Sequence, residues 1–408
     1  MVDVIIIGGG ASGLVCGIEA ARRGKQCLIL EQKEKVGKKL YATGNGKCNF
    51  ANRTVRQGLY HSVSEGGEAL LTQVITGDIC RETEEFFSEL GIPATERQGY
   101  LYPRSEQAAS LVHALEQVFL QWKGRILCEE RVERVHWDNE HSCFQVRTGT
   151  KRYSGRKLVL AAGGRAAAKL GSDGSGYALA EMLGHHITPC VPALCGLKCK
   201  EKGWNRLQGV RAKGRVSIRL DGIRKGEDTG EIQFTQYGVS GIVIFNLSRY
   251  ASLGLRGKQR VSLLLDLVPE YTRDDLLMLL QKLQMSCGFR NLSGLLSGFL
   301  PDKLADFIIE RAGLVKEGAC SRLNQEELER LISCCKQLEI EITDTNSFEQ
   351  AQVTAGGVPL EEIQLDTMES RCCRNCYLTG ELLDVDAVCG GYNLMWAWKT
   401  GLRAGRSL

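Results

Sequence analysis

Val2-Asp3-Val4-Ile5-Ile6-Ile7-Gly8-Gly9-Gly10-Ala11-Ser12-Gly13 is the stretch that decides the fold. Its first six residues form a nearly continuous apolar, β-branched run, the pattern of a parallel strand buried on both faces. The run breaks into Gly8-x-Gly10-x-x-Gly13, after which Leu14, Ile18 and Ala21 recur at helical spacing as far as Gly24, a residue suited to the turn past a helix end. A second strand is predicted over Gln26-Cys27-Leu28-Ile29-Leu30-Glu31. In this βαβ setting Gly8 permits the tight turn, Gly10 admits a pyrophosphate to the backbone, and Gly13 lets helix and strand pack closely. The helix start at Ala11 and Ser12 offers amide donors to an anion. Glu31 closes the second strand where an acid accepts ribose hydroxyls and disfavours a 2′-phosphate. Its neighbours Gln32 and Lys33 join the candidate set.

Working outward, helical patterns are predicted over 69–75, 79–90 and 107–122, and short antiparallel strands around Val132 and Val135 and around Phe144 and Val146. A buried strand over 157–162 ends at Gly163-Gly164, and a helix over 177–183 closes at Gly184. From about Pro189 to Asp266 the sequence alternates in short β-like pieces, with Asp221-Gly222 as a hairpin turn. From about Thr272 to Ile340 it turns helical: Asn324 and Glu327 have the spacing of an N-cap with its reciprocal acid, and Leu328, Leu331, Ile332, Cys335 and Leu338 form one apolar stripe. The expected organisation is a dinucleotide-binding domain of residues 1–189 and 346–408, split by an inserted substrate or cap domain, 190–345, that is β-rich over 190–268 and helical over 269–345.

Composition narrows the function. The chain has 408 residues, 43% hydrophobic and 25% charged, which excludes disorder as its main state. Lysine and arginine total 52 against 48 acids, so charge gives no reason to expect nucleic acid or an anionic membrane as partner. No apolar run reaches the ~18 residues of a membrane span. Seventeen cysteines, an odd number without a secretory leader, point to thiols in a reducing cytoplasm. No metal site is expected: Cys373-x-x-Cys376 lacks a second pair at zinc spacing, and His185 and His186 would point to opposite sides of an extended chain. No Ser-His-Asp arrangement stands out.

A polar, glycine-rich loop follows the first βαβ unit: Lys38-Lys39-Leu40-Tyr41-Ala42-Thr43-Gly44-Asn45-Gly46-Lys47-Cys48-Asn49. Near the C-terminus come Val353-Thr354-Ala355-Gly356-Gly357-Val358, Thr367-Met368-Glu369-Ser370, Gly380-Glu381-Leu382-Leu383-Asp384-Val385-Asp386 and Gly390-Gly391-Tyr392-Asn393. With Gly230-Glu231, Phe234-Thr235 and Gly238-Val239-Ser240-Gly241, these motifs run in the order of a family of bacterial and archaeal flavoproteins. The chain resembles that family, which includes aminoacetone-oxidase-like proteins and a 3-dehydro-bile-acid Δ4,6-reductase, over nearly its whole length. It departs from it at Ile242, where proline is expected.

The resemblance implies an α/β fold, a Rossmann-like FAD-binding domain of the two-dinucleotide-binding-domain flavoprotein type with an insert. It implies bound FAD near Lys39, Asn45, Gly46, Cys48, Asn49, Val132, Ala161, Gly163, Gly380, Glu381, Asp386, Gly391, Tyr392, Asn393 and Leu394, beside the first turn. Asp386 would receive ribitol hydroxyls, and the helix after Gly391 would face the flavin pyrimidine edge. The segment 171–176 lacks a second dinucleotide fingerprint, so NADH or NADPH would dock only transiently as electron donor. The favoured activity is reduction of a C=C bond conjugated to a ketone in a steroid-like or bile-acid-derived small molecule. The alternatives are an amine oxidase using O2 and a flavin-dependent RNA-modifying or redox-sensing protein. Tyr41 and Tyr237 are candidate proton donors by motif position alone, and Cys48 is a candidate reactive thiol.

Overall fold

In the computed structural model, which describes residues 1–201 and 203–408, the apolar run Val2–Ile7 is an inner strand of a parallel sheet. It pairs in parallel with Arg152–Leu160 on one side and Cys27–Leu30 on the other. Cys27–Leu30 continues to Arg125–Leu127, and Arg152–Leu160 continues to Cys376–Leu378, both in parallel. Val4, Ile5 and Ile6 have no solvent exposure, as a strand covered on both faces requires. Among the described residues this sheet has nine strands, with an antiparallel arm formed by Val132–Asp138 and Cys143–Thr148. The C-terminal segment thus completes a sheet that the N-terminus begins.

The first helix, Ala11–Arg22, follows the glycine turn and lies against the last helix, Tyr392–Ser407. Their contact is backbone-close. A Cβ at Gly401 would stand 2.5 Å from the Ser12 carbonyl oxygen, and one at Gly405 would stand 2.6 Å from that of Cys16. The two glycines are four residues apart, hence on one helical face. Lys399 and Arg406 of the last helix both pair with Glu82 of the helix Ile79–Glu89.

These elements belong to a unit formed by Met1–Pro192 and Phe348–Leu408, while Ala193–Ser347 forms a second unit with its own core. Among the described residues the second unit is built on a closed six-stranded barrel. Its longest hairpin joins Arg211–Leu220 to Ile223–Phe234 through Asp221 and Gly222, both with positive φ (49° and 81°), the geometry that keeps the twist of the flanking strands. The helices Arg273–Cys287, Asp302–Arg311 and Gln325–Lys336 follow in this unit.

Four sequence expectations need correction. The middle region is not β throughout: Ile242–Arg256 is a helix packed on the barrel, and Val243, Ile244, Leu247 and Ala251 are its buried face. Ile242 occupies the first helical position and is 58% exposed, the place where proline is also favoured, so the departure at this residue leaves the turn intact. The insert is not helical to its end, because Leu338–Thr345 is a barrel strand with Leu338, Ile340 and Ile342 inward and Glu339 and Glu341 exposed. Leu338 therefore leaves the helical stripe. The pattern over 69–75 resolves into a short helix, Gly67–Leu70, and a 3-10 turn, Leu71–Gln73. Finally, His185 and His186 do not diverge; both ring Nδ1 atoms reach the Glu362 carboxylate. Their backbone is irregular rather than extended, so strand alternation does not apply.

Candidate cofactor-binding site

The turn between the first strand and first helix is built by glycines with no room for anything larger. Gly8 has φ +106°, and a Cβ there would fall 2.4 Å from the Ala161 carbonyl oxygen; one at Gly13 would fall 2.0 Å from that of Gly8. Gly10 is the opposite case, since a Cβ there would meet nothing within 4 Å. Open space therefore adjoins the amino end of the helix. That end has no side-chain cap and no acid in its first turn, so the amides of Ala11, Ser12 and Gly13 keep their donors for another acceptor.

Glu31 closes the turn from the second strand. Its Oε2 accepts from the Gly9 amide at 2.8 Å and its Oε1 from the Lys33 amide at 2.9 Å. Burial pushes the carboxyl group upward, and these amide hydrogen bonds pull it part of the way back. Each oxygen retains a further lone pair, the capacity that ribose hydroxyls need. Gln32 donates to the Gly171 carbonyl, and Arg131, next to buried Val132, donates to the Gln32 side-chain oxygen.

The polar loop forms a short helix, Lys38–Ala42, and a tight turn over Thr43–Gly46 in which Gly44, Asn45 and Gly46 all have positive φ. Lys39 Nζ lies 2.8 Å from Glu381 Oε2 and donates to the Ala166 carbonyl at 3.2 Å. Glu381 Oε1 accepts from the Thr354 amide at 2.9 Å. Asn49 ends the loop beside the start of the last helix: its Oδ1 is buried, has no hydrogen-bond partner, and lies 3.0 Å from where a Cβ at Gly391 would sit. Gly391, at φ +90°, begins that helix without a side-chain cap, and again no acid stands in the first turn.

The remaining candidates surround these points. A Cβ at Gly380 would meet Ser12 Oγ at 2.6 Å, and one at Gly163 would meet Ser172 Oγ at 2.8 Å. Asp386 is buried and pairs in register with His61. Asn393 both accepts from the Ala387 amide at 2.9 Å and donates to its carbonyl at 2.8 Å, while Tyr392 shares a hydrogen bond with Thr54. Leu394 packs partly buried against the core. Thus Gly8, Gly13 and Ala161 meet at the first turn, Ser12 meets Gly380, Lys39 meets Glu381, and Asn49 meets Gly391. Thr354, not among the sequence candidates, ties this region together, since its Oγ1 accepts from the Arg165 and Ala166 amides. Its position in the quoted Val353–Val358 motif was the available signal.

The catalytic candidates fare differently. Tyr41 packs edge-on against His113 and beneath Lys35. Tyr237 belongs to the other unit, where its hydroxyl accepts from Asn346 Nδ2 at 3.1 Å. Cys48 has no solvent exposure, and burial pushes its thiol up to about 11, which keeps it protonated and packed.

Comparison with known proteins adds to this geometry. Residues 2–407 match the family described as HI0933-like protein Rossmann domain. The 3-dehydro-bile acid Δ(4,6)-reductase of Clostridium scindens is 42% identical over 405 residues, covering 98% of either chain. The ribosomal RNA dihydrouridine synthase of Haemophilus influenzae is 27% identical over 413 residues, covering 99% of this chain and 98% of the other. Among solved structures, the 3-ketosteroid Δ1-dehydrogenase of Sterolibacterium denitrificans aligns with a TM-score of 0.50 at 12% identity, covering 99% of this chain and 98% of that one, which is a likeness of fold.

Proposed function

Because the chain belongs to the HI0933-like Rossmann family, we propose that it is an FAD-dependent reductase of a C=C bond conjugated to a ketone, acting on a steroid-like substrate such as a 3-oxo-4,6-diene bile acid. The full-length 42% identity to a bile acid Δ(4,6)-reductase carries this reading. The dihydrouridine synthase supports the reaction class, since forming dihydrouridine also saturates a C=C bond conjugated to a carbonyl. Two reductive relatives favour reductase over amine oxidase. RNA is the second reading, on the strength of that relative alone; against it stands the nearly balanced charge of 52 cations and 48 acids.

The residues fit FAD. The diphosphate would take the free amides of Ala11, Ser12 and Gly13, where Gly10 leaves space. Glu31 would receive ribose hydroxyls. The orphaned Asn49 Oδ1 would accept the flavin's imide N–H, and the amides after Gly391 would face the flavin's carbonyl edge. When bound, FAD supplies two-electron hydride chemistry. NADH or NADPH would serve as transient donor, and the insert as the substrate or cap domain. Among the described residues no helix is long and apolar enough to cross a membrane. A cytoplasmic location rests on the sequence alone, whose seventeen cysteines suit a reducing compartment.

The test is anaerobic stopped-flow of the yellow protein reduced with NADH or NADPH and then mixed with a 3-oxo-4,6-diene steroid, oxygen, or uridine-containing ribosomal RNA. Fast reoxidation by the steroid is expected. Reoxidation by oxygen alone, or by RNA and not the steroid, overturns the steroid assignment, and a protein that takes up no FAD overturns the whole reading.

A further inference from the structure

Apart from the cofactor candidates, three separate segments of the first unit place nitrogen, oxygen and sulfur ligands around one carboxylate. Glu362, at the end of a 3-10 turn, receives His185 Nδ1 at 2.7 Å on Oε2 and His186 Nδ1 at 2.6 Å on Oε1, and Cys372 Sγ stands 3.8 Å from Oε2. The ligand atoms of His185, Glu362 and Cys372 all lie within 4.8 Å of one another. Burial pushes the Glu362 carboxyl up, but the hydrogen bonds from His186 and His185 outweigh it and hold it below the usual range.

The two histidines are not equivalent. His185 has a fully buried side chain, and its Nε2 lies 2.8 Å from Ser370 Oγ. Ser370 Oγ already accepts from the Cys372 amide at 3.0 Å and the Cys373 amide at 2.8 Å. Its lone pairs are thereby used, so its one proton goes to His185 Nε2. Nδ1 must then carry the ring proton and donate it to Glu362. His185 is satisfied at both nitrogens and serves to fix the carboxylate. His186 is the reverse, with a side chain 86% exposed, and Cys372 is exposed too.

We propose that His186, Glu362 and Cys372 form a binding site for a borderline divalent cation, Zn2+ in the first instance, with water as the fourth ligand and His185 as the positioning residue behind Glu362. The donor set suits this ion, which takes imidazole, carboxylate and thiolate in tetrahedral array at about 2.0–2.3 Å. Zn2+ displaces the proton of the Cys372 thiol, and the two negative charges of thiolate and carboxylate then balance the ion. His185, with its buried side chain on Glu362, already has the arrangement in which an outer partner orients a metal ligand, and the exposed His186 and Cys372 side chains would close on the ion from either oxygen of Glu362.

The test uses the full flavin-loaded chain. Zn2+ is titrated in competition with a chromophoric chelator, and Co2+ is added while difference spectra are recorded at constant flavin. One equivalent should bind, with a thiolate-to-cobalt charge-transfer band that Cys372→Ser abolishes. His186→Ala, at an exposed position, should weaken binding without changing the FAD content or thermal midpoint. His185→Asn should weaken it about 10–100-fold and alter the cobalt ligand-field spectrum. Binding no tighter in the wild-type chain than in Cys372→Ser, or a charge-transfer band that survives that substitution, overturns the site.

Discussion

The helices Gln325–Lys336 and Ala11–Arg22 begin in opposite ways. In the insert, Asn324 Oδ1 accepts from the Glu327 amide at 3.0 Å and Glu327 returns the contact to the Asn324 amide at 2.9 Å; Thr272 and Asp275 repeat the arrangement on Arg273–Cys287. Both of these helices also carry acids in the first turn. Ala11–Arg22 and Tyr392–Ser407 have a glycine at the cap, no side-chain acceptor and no acid. A cap contributes about 1 kcal/mol, so a bare amino end gives up stability that a side chain would supply. Ala108–Gln121 and Ile242–Arg256 also start without a side-chain cap or an acid, so a bare start alone does not mark a site; at the two helix ends proposed to face the cofactor, it leaves the amide donors for a ligand.

The largest expected break in that contrast is Gly13→Val, which forces a Cβ against the Gly8 carbonyl and disrupts the turn before the first helix. The purified chain should come away colourless, with FAD affinity reduced about a thousandfold or more, about 4 kcal/mol of binding. Next is Glu82→Gln, which leaves the last helix bare at its amino end and removes the carboxylate shared by Lys399 and Arg406, while Arg406 keeps Glu19. Lys399, whose side chain is 9% exposed, then loses its partner, and denaturant titration should show a loss of roughly 3 kcal/mol. Burial raises the Glu82 carboxyl, but Lys399 and Arg406 outweigh it, so its folded pKa is depressed. The stability it contributes is complete above its unfolded value of about 4.3 and is lost as pH falls through the lower folded value. The variant should lose less stability over that acid limb than the wild type.

Gly10→Asp sharpens the contrast by adding the missing cap where nothing obstructs a side chain. The FAD-free chain should keep or raise its thermal midpoint, while FAD affinity falls by about 1.5–3 kcal/mol, the worth of hydrogen bonds to a charged group. Normal FAD binding by the Gly10→Asp chain would remove the diphosphate from that helix end. The smallest effect belongs to Asn324→Ala, which should cost the insert about 1 kcal/mol by thermal unfolding and leave FAD content unchanged.

How much of this was legible in the sequence depended on range. The Val2–Gly13 turn and the Asn324–Glu327 box are local patterns, and their residues act on neighbours a few positions away. The helix Ile242–Arg256 was hidden because its β-branched opening, Ile242-Val243-Ile244, reads as strand until the barrel beneath selects one helical face. Lys39 and Glu381 were both candidates, yet their ion pair joins opposite ends of the chain and no spacing rule reaches that far. The directions of His185 and His186 were misread for the same reason: they were judged by strand alternation when a carboxylate distant in sequence, Glu362, sets them.

The close contact of Gly401 and Gly405 with the first helix bears on the order in which the protein is made. The sheet begun at Val2 lacks Cys376–Leu378 until those residues have been added, and the first helix lacks its glycine-faced neighbour until Gly401 and Gly405 have followed. The insert is complete in sequence at Ser347. At a synthesis rate of ~5–20 residues per second, it has several seconds to fold before the first unit can close. During that interval the Leu158–Leu160 edge stands open on the nascent chain, which makes the synthesis of residues 161–378 the period of greatest exposure to mispairing.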